Sequence, residues 1–345
     1  MNRDTDPLVL NGARGEGGGQ ILRTALALSL CLQRPFRIHS IRAARRQPGL
    51  RPQHLVAVQA AAQLGGAEVK GAQPGSGELL FRPTQRPAGG RYRFSIGTAG
   101  STTLVLQTLL PVLLTAPEPS RISLEGGTHN PLAPTFEFLQ RAFLPLIARM
   151  GPQVSARLEC PGFYPAGGGL IRVGIEPVAR LRPLDLPEPG AEYEIEASAL
   201  LCRLPQHIAQ RELAVVGGAF ALDKSRLHIR RLDSGRSPGN VLTVEVLRGG
   251  VTDLFSSIGR RGLPAEAVAQ EAVKQVRRYL EAGVCVGEHL ADQLLLPLAL
   301  AGGGSFLTLA PSLHTRTNLK VIGAFLPLTA DLRELGRDRW RISIG

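Results

Sequence analysis

GEGGGQILRTALALSL, Gly15–Leu30, is a glycine-bearing turn that runs straight into an apolar helix, and the same plan returns twice. It reappears as GTAGSTTLVLQTLLPVLL at Gly97–Leu114 and as GEHLADQLLLPLAL at Gly287–Leu300. Self-similarity of this kind marks a repeated structural unit. A short β-like run follows each copy, at Phe36–Ile41, Arg121–Leu124 and Ser305–Leu309. A second helix-like segment comes next, at Pro52–Leu64, Pro134–Met150 and Thr315–Phe325. In the first of these, Leu55, Val58 and Ala62 fall on one face at helical spacing. Strand pairs with glycine-rich turns follow the first two, such as Ala67–Lys70 and Glu78–Arg82 about Pro74-Gly75. The pattern predicts an α/β (α+β) fold in which three βαβαββ-type units build one large domain.

Between the second and third copies the pattern changes. Glu192–Glu196 alternates strictly, a helix follows with Pro205 near its start, and strands are expected near Leu227–Leu232 and Val241–Leu247. A helix from Pro264 to Ala282 closes the segment: Val268, Ala272, Val276, Tyr279 and Leu280 form its apolar stripe, and Gly283 stops it. Residues 183–283 therefore read as a small α/β domain inserted before the third unit, with 1–182 and 284–345 forming the large domain.

The bulk numbers suit a soluble intracellular protein. Of 345 residues 43% are hydrophobic and 20% charged, with mean hydropathy +0.04. Aromatics make up only 5%, so aliphatic side chains must build the core. Met1 to Leu10 carries Asp4 and Asp6 and no apolar segment of the signal-peptide kind. The longest apolar stretch, Leu294–Ala301, is far short of a membrane span and is expected to be broken by Pro297. Cys31, Cys160, Cys202 and Cys285 are scattered without a C-x-x-C pair, which argues against a zinc site or disulfide framework and for a reducing cytoplasm. The net charge is +12, and only Lys70, Lys224, Lys274 and Lys320 of the 40 basic residues are lysines. Guanidinium forks grip phosphate, so the excess suits a phosphate-bearing partner, although a GC-rich genome also favours arginine.

Four segments carry candidate chemistry. Gly15-Glu16-Gly17-Gly18-Gly19-Gln20 sits at a helix start, where bare glycines let backbone N–H groups approach an anion. It is not a Walker A loop, since no Gly-Lys-Ser/Thr follows, and a glycine cluster alone is more often a tight turn than a phosphate site. Glu16 is placed to hold a divalent metal, and Arg23 lies in the first helical turn. Arg42, Arg45, Arg46 and Arg51 form a second basic stretch ending at Gln53-His54; it is either a phosphate clamp or a solvated charge run, and Pro48-Gly49 and Pro52 fix its backbone. His289, Asp292 and Gln293 share one helix face, which suits reading a base or an ordinary polar face. His314, in SLHTRTN just after the Ser305–Leu309 run, is placed at a strand end to attack phosphorus, or is a structural histidine.

Together these segments resemble the RNA 3′-terminal phosphate cyclase family over essentially the whole chain. The likeness runs through GEGGGQILR (Gly15–Arg23), Arg42-Ala43 to Leu50, Gln53-His54, YRFSIGTAGSTTLVLQ (Tyr92–Gln107) and GGTHNPLAP (Gly126–Pro134). It continues through GFYPAGGG (Gly162–Gly169) and Gly287–Gln293 to His314-x-x-Thr317-Asn318. The resemblance implies an ATP-dependent enzyme whose histidine, His314 here, takes AMP from ATP and passes it to an RNA 3′-phosphate, before the 2′-OH closes a 2′,3′-cyclic end. It implies Glu16 for a metal (Mg²⁺ or Mn²⁺), and Gln107, Pro134, His289, Asp292 and Gln293 around ATP. Arg23, Arg42, Arg45, Gln53 and His54 would face RNA and phosphate. It also implies a homodimer. His289 stands where the family has a tyrosine stacked on adenine, and Gln47 replaces a basic residue; the first bears on nucleotide affinity.

Rival readings make different demands. A cyclase-like branch serving ribosome assembly without catalysis is expected to lack the histidine, whereas His314, Glu16 and Arg23 are present. A pure RNA-binding protein would rest on charge alone. An enolpyruvyl transferase, built from similar units, would need a shikimate or phosphosugar motif that the sequence does not contain.

Overall fold

The computed structural model describes residues 6–345 and is a mixed α/β fold of four four-stranded sheets. Asp4, cited above for the N-terminus, lies outside the described residues. Helix α1 (Gln20–Leu32) follows β1 (Leu8–Asn11); β2 (Phe36–His39), α2 (Pro52–Gly65), β3 (Glu68–Lys70) and β4 (Leu79–Arg82) come next. Their sheet runs β1-β2-β4-β3, with β1 and β2 parallel and the other neighbours antiparallel. β5 (Gly90–Ser95), α3 (Thr102–Leu113), β6 (Ser120–Gly126), α4 (Phe136–Phe138), α5 (Leu144–Arg149), β7 (Gln153–Cys160) and β8 (Gly169–Glu176) follow. Their sheet, β5-β6-β8-β7, repeats that pairing: one parallel pair, then two antiparallel.

β9 (Leu184–Asp185) pairs in parallel with a strand 120 residues later, so these two residues join the last sheet rather than the inserted segment expected from residue 183. The segment between them carries β10 (Tyr193–Cys202), α6 (Gln206–Phe220), β11 (Leu227–Arg231), β12 (Gly239–Arg248), β13 (Val251–Ile258) and α7 (Ala265–Ala282). Its sheet runs β11-β10-β12-β13 over a separate core that includes Ile195, Leu242, Val268 and Tyr279. Gly283 ends α7 in the left-handed conformation (φ 64°), as a C-terminal glycine does at least strain. Finally α8 (Glu288–Ala301), β14 (Gly304–Thr308), α9 (Leu313–Phe325), β15 (Ala330–Gly336) and β16 (Arg339–Ile344) complete a sheet of order β15-β16-β14-β9.

Two helices differ from the sequence expectation. The single helix expected over Pro134–Met150 begins at Phe136, capped by the Thr135 hydroxyl, and passes through a π-helical turn at Leu139–Phe143. Pro145 comes two residues after that turn's last residue; it has no N–H to donate and its ring crowds the preceding carbonyls, which the wider turn accommodates. Pro297 does not end its apolar stretch but lies inside α8, which continues to Ala301. Among the described residues no helix is long and apolar enough to cross a membrane.

The helices, not the sheets, lie innermost. α1 buries ten of its thirteen residues and packs against α2, α3 and α9, and α9 packs in turn on α8. That arrangement gathers the N-terminal ends of α1, α2 and α9 around the glycine turn at Gly15–Gly19. Positive ends of helix dipoles favour an anion there.

Candidate active site

The glycine turn is locked to α9 by backbone contact. The Glu16 N–H donates to Thr317 Oγ1 (2.9 Å), and the Thr317 hydroxyl donates to the Leu313 carbonyl one helical turn back (2.6 Å). Gly15 has φ +60°, and a Cβ there would lie 2.2 Å from Thr317 Oγ1. A side chain at residue 15 would therefore part the turn from the helix that carries His314.

His314 is not at the end of β14 but is the second residue of α9, whose cap is Ser312: its Oγ accepts from the Thr315 N–H (3.1 Å). The imidazole is half exposed and hydrogen bonded from below. Asp292, buried on α8, accepts from Gln20 Nε2 (2.6 Å) and from Asn318 Nδ2 (3.1 Å). Thr24 in turn donates to Asn318 Oδ1 (2.8 Å), which fixes that amide as well. With Gln20 Nε2 committed to a carboxylate, Gln20 Oε1 faces His314 Nδ1 at 3.1 Å and can only accept. The Nδ1 proton therefore belongs to this bond, and Nε2 keeps its lone pair. Burial lowers the His314 pKa below its usual value, which favours the neutral ring, and burial raises that of Asp292 above the ordinary carboxylate range.

Above the ring the site is charged. His314 Nε2 lies 3.7 Å from Glu16 Oε1, and Arg45 pairs with the same carboxylate while also donating to the Glu16 carbonyl (3.1 Å). The other Glu16 oxygen, Oε2, is buried with no hydrogen-bond partner. A buried carboxylate oxygen without a partner is costly, and an ion bridging it to substrate phosphates would satisfy it. Among the described residues no three His, Cys, Asp or Glu side chains form a metal cluster, so Glu16 is the one carboxylate of this site that would hold such an ion.

Arg23 is the third charged neighbour. Its Nε donates to Gln107 Oε1 on α3 (3.0 Å), and burial lowers its pKa to about 10 without discharging it at neutral pH. Gly19 makes room for it, since a Cβ at residue 19 would stand 2.8 Å from Arg23 Nη1 and 2.3 Å from His54 Nε2. His54 is buried, accepts from the Arg51 N–H through Nδ1 (3.1 Å), and burial among Arg23, Arg42 and Arg51 drives its pKa to about 3. It is thus a neutral ring holding the start of α2. Gln53 is likewise engaged, with Oε1 accepting the Ser101 N–H at the head of α3 (2.9 Å).

The remaining expected residues divide. Gln107, Asp292 and Gln293 share one small hollow with Thr24, Phe143 and Asn318, although Asp292 itself turns inward to hold Gln20 and Asn318. Pro134 is joined to the same end of α3, its carbonyl accepting from the Thr103 hydroxyl (2.7 Å). His289 is exposed and faces a different hollow, beside Asp253, Arg278 and Leu309. Arg42 has φ +54° and spends Nη1 on the Gln47 and Gly49 carbonyls (2.7 and 2.9 Å), closing its own loop. Gln20, Thr24, Thr317 and Asn318 were not singled out from sequence for the roles they take here. Gln20 and the Thr317-Asn318 pair sit inside motifs quoted above, and their side-chain direction is what a one-dimensional reading lacks.

Comparison with known proteins gives concordant results. A family model described as RNA 3′-terminal phosphate cyclase matches residues 14–332. The chain is 54% identical over 326 residues to the RNA 3′-terminal phosphate cyclase of Ectopseudomonas mendocina, covering 94% of each chain. It is 49% identical to that of Koribacter versatilis (95% of this chain, 92% of the relative) and 52% identical to that of Pseudomonas fluorescens (96% and 95%).

Proposed function

The chain belongs to the RNA 3′-terminal phosphate cyclase family, and from that premise we propose that it converts RNA 3′-phosphate ends to 2′,3′-cyclic phosphodiesters with ATP, through AMP carried on His314 Nε2. The observation that carries the histidine assignment is the chain of bonds from Asp292 through Gln20 to His314 Nδ1. It leaves Nε2 unprotonated, half exposed and beside the cationic rim.

In the first step Nε2 attacks the α-phosphorus of ATP; the N–P bond forms as the P–O bond to pyrophosphate breaks, and pyrophosphate leaves with the electron pair. The ring gains positive charge, and the Nδ1–H bond to Gln20, backed by Asp292, stabilises it. Arg23, Arg45 and the helix N-termini offset the phosphate charge. A divalent ion held by Glu16 would supply further charge neutralisation on the phosphates. Next an oxygen of the RNA 3′-phosphate attacks the AMP phosphorus as the N–P bond breaks and its electron pair returns to His314 Nε2, forming an RNA(3′)pp(5′)A anhydride and restoring the neutral ring. The ribose 2′-OH, losing its proton, then attacks the activated 3′-phosphorus, and AMP departs. Activation is needed because a phosphate monoester has no adequate leaving group of its own, whereas AMP is one. The Arg23–Gln107 hydrogen bond supports a nucleotide phosphate held near that pair; Gln293 lines the same small hollow as Gln107, and His289 lines another.

The test is incubation of a 5′-labelled oligoribonucleotide 3′-phosphate with ATP and Mg²⁺ or Mn²⁺. The expected product resists phosphatase and requires His314; a 3′-phosphate that stays phosphatase-sensitive under every metal condition contradicts the proposal.

A further inference from the structure

The outer face of the second sheet is a floor of arginines that the reaction at His314 does not use. Alternation along the strands turns Phe94, Ile122, Leu124, Ile171 and Val173 to the core. The opposite face presents Arg91, Arg93, Arg121, Arg157 and Arg172, all exposed. Register sets Arg91 across from Arg121 and Arg157 across from Arg172. Like charges placed directly opposite destabilise a sheet, so the arrangement works against folding unless an anion offsets it. Arg121 pairs with Glu176 (3.2 Å) and Arg172 with Glu159 (3.6 Å). Arg91, Arg93 and Arg157 have no carboxylate partner among the described residues. Gly174 lies between Arg121 and Ser155, and a Cβ there would stand 2.5 Å from Arg121 Nη1, so the glycine lets that guanidinium lie low across the sheet.

The other two sheets of the large core differ. The first mixes charges, with Arg37 paired to Glu78 and Glu68 near Lys70. The last also sets Arg333 across from Arg341, but Glu188 pairs with Arg341 and Arg339, and Asp331 and Asp185 lie among its outward residues. An open hollow of about 1210 Å³ lies over the arginine-lined sheet. Its floor leads to the site: β5 runs from Arg91 and Arg93 to Ser95, and the chain then turns through Gly97–Gly100 to Ser101, whose N–H is held by Gln53 beside His54. At the same end Arg236 reaches over Gly168 to Glu125 (3.3 Å), and Tyr164 stands 74% exposed.

We propose that this face binds the sugar–phosphate backbone of the RNA strand upstream of the 3′ end that reacts at His314. The proposal rests on the reading that RNA 3′ ends are the substrate. Arginine forks on an open sheet grip phosphates without reading bases, which suits an enzyme that must accept an end whatever sequence precedes it. A flat face studded with cations and continuous with the reacting end fits a single polyanionic strand by charge.

The test uses the full chain with Arg91→Gln, Arg93→Gln and Arg157→Gln combined; these side chains are exposed and lie outside the His314 network. Binding of 5′-labelled oligoribonucleotides with 3′-hydroxyl ends, 4 and 16 nucleotides long, is followed by fluorescence anisotropy across salt concentrations. The wild type is expected to bind the longer strand more tightly. The triple variant is expected to lose at least about tenfold on the 16-mer and to lower its log–log salt slope by about 2, one increment of roughly 0.7 for each phosphate contact removed. The 4-mer affinity and labelling by α-³²P-ATP should not change. Equal 16-mer affinity and salt slope in variant and wild type overturn the proposal, as does a polyglutamate peptide that competes as well as RNA of matched charge. If the wild type neither takes label nor modifies ends while the variant still loses RNA, the functional reading falls and the surface stands.

Discussion

Beneath the His314 ring lies a hydrogen-bonded network in which Asp292, Gln20, Asn318 and Thr24 are all buried and each holds the next; above it stand Glu16, Arg45 and Arg23, joined mostly by charge, with one Glu16 oxygen left without a partner. The buried side has directional bonds in fixed positions, so it can set which ring nitrogen carries the proton. The charged side has net attraction for anions and spare valence, so it can receive phosphates and an ion that come and go. Chemistry that needs one defined lone pair against a mobile, highly charged substrate draws on both.

Substitutions on the two sides should separate these contributions. Asp292→Asn is expected to have the largest effect after loss of His314 itself. The new amide can donate to Gln20, which frees that side chain to flip and present N–H to His314 Nδ1. The wrong tautomer follows, and single-turnover labelling by ATP should fall about 10²–10⁴-fold while the fold persists by circular dichroism. A rate within a few-fold of wild type would mean that the buried network does not set the tautomer. Glu16→Gln keeps the shape and removes the charge; labelling should fall roughly tenfold to a hundredfold, with a higher metal concentration needed for half-maximal rate, since a carboxylate–cation contact is stronger than a neutral one. An unchanged metal dependence would dissociate Glu16 from the ion. Arg23→Lys should cost about tenfold, because an ammonium cannot both meet Gln107 and fork onto phosphate.

The smallest effect is in pH. His314 acts as the neutral ring, and burial holds its pKa below 6.5, so the labelling rate should rise with pH through an apparent pKa below that value and be flat from pH 7 upward. In Asp292→Asn the missing carboxylate no longer raises the His314 pKa, and the inflection should move lower still. An inflection above 7 would show that the buried side favours the charged ring.

Much of the fold was legible in sequence because apolar helices starting at glycine turns leave a strong period. Helices α1, α2, α7 and α8 fall within a residue or two of expectation, and the mixed α/β class follows from them. What the pattern did not convey was pairing at long range: Leu184–Asp185 reads as the start of the inserted segment, yet joins β14 far along the chain. The π turn before Pro145 was hidden for a local reason, since a proline near the middle of an apolar run does not announce how the helix will accommodate it. In the candidate site, Glu16, Arg23, Arg45, Gln107 and His314 lie near one another, a juxtaposition that spacing along the chain does not give. Arg42 and His54, grouped with phosphate binders, also tie down their own loop and helix start, a structural part that residue type did not announce. Asp292 was placed on the face that meets the nucleotide but points to Gln20, a distinction set by helix rotation and not by residue type. Charge and spacing locate a site; which polar atom faces which is decided by packing.

The most direct measurement is to treat the protein with ATP and divalent metal, quench in alkali, and locate the retained AMP by peptide mass spectrometry with ³¹P NMR of the intact adduct. AMP on the peptide containing His314, with the phosphoramidate at Nε2 and no adduct in His314→Ala, is the expected result. AMP on another residue, at Nδ1, or on no residue of the folded protein would contradict the assignment of His314 Nε2 as the nucleophile.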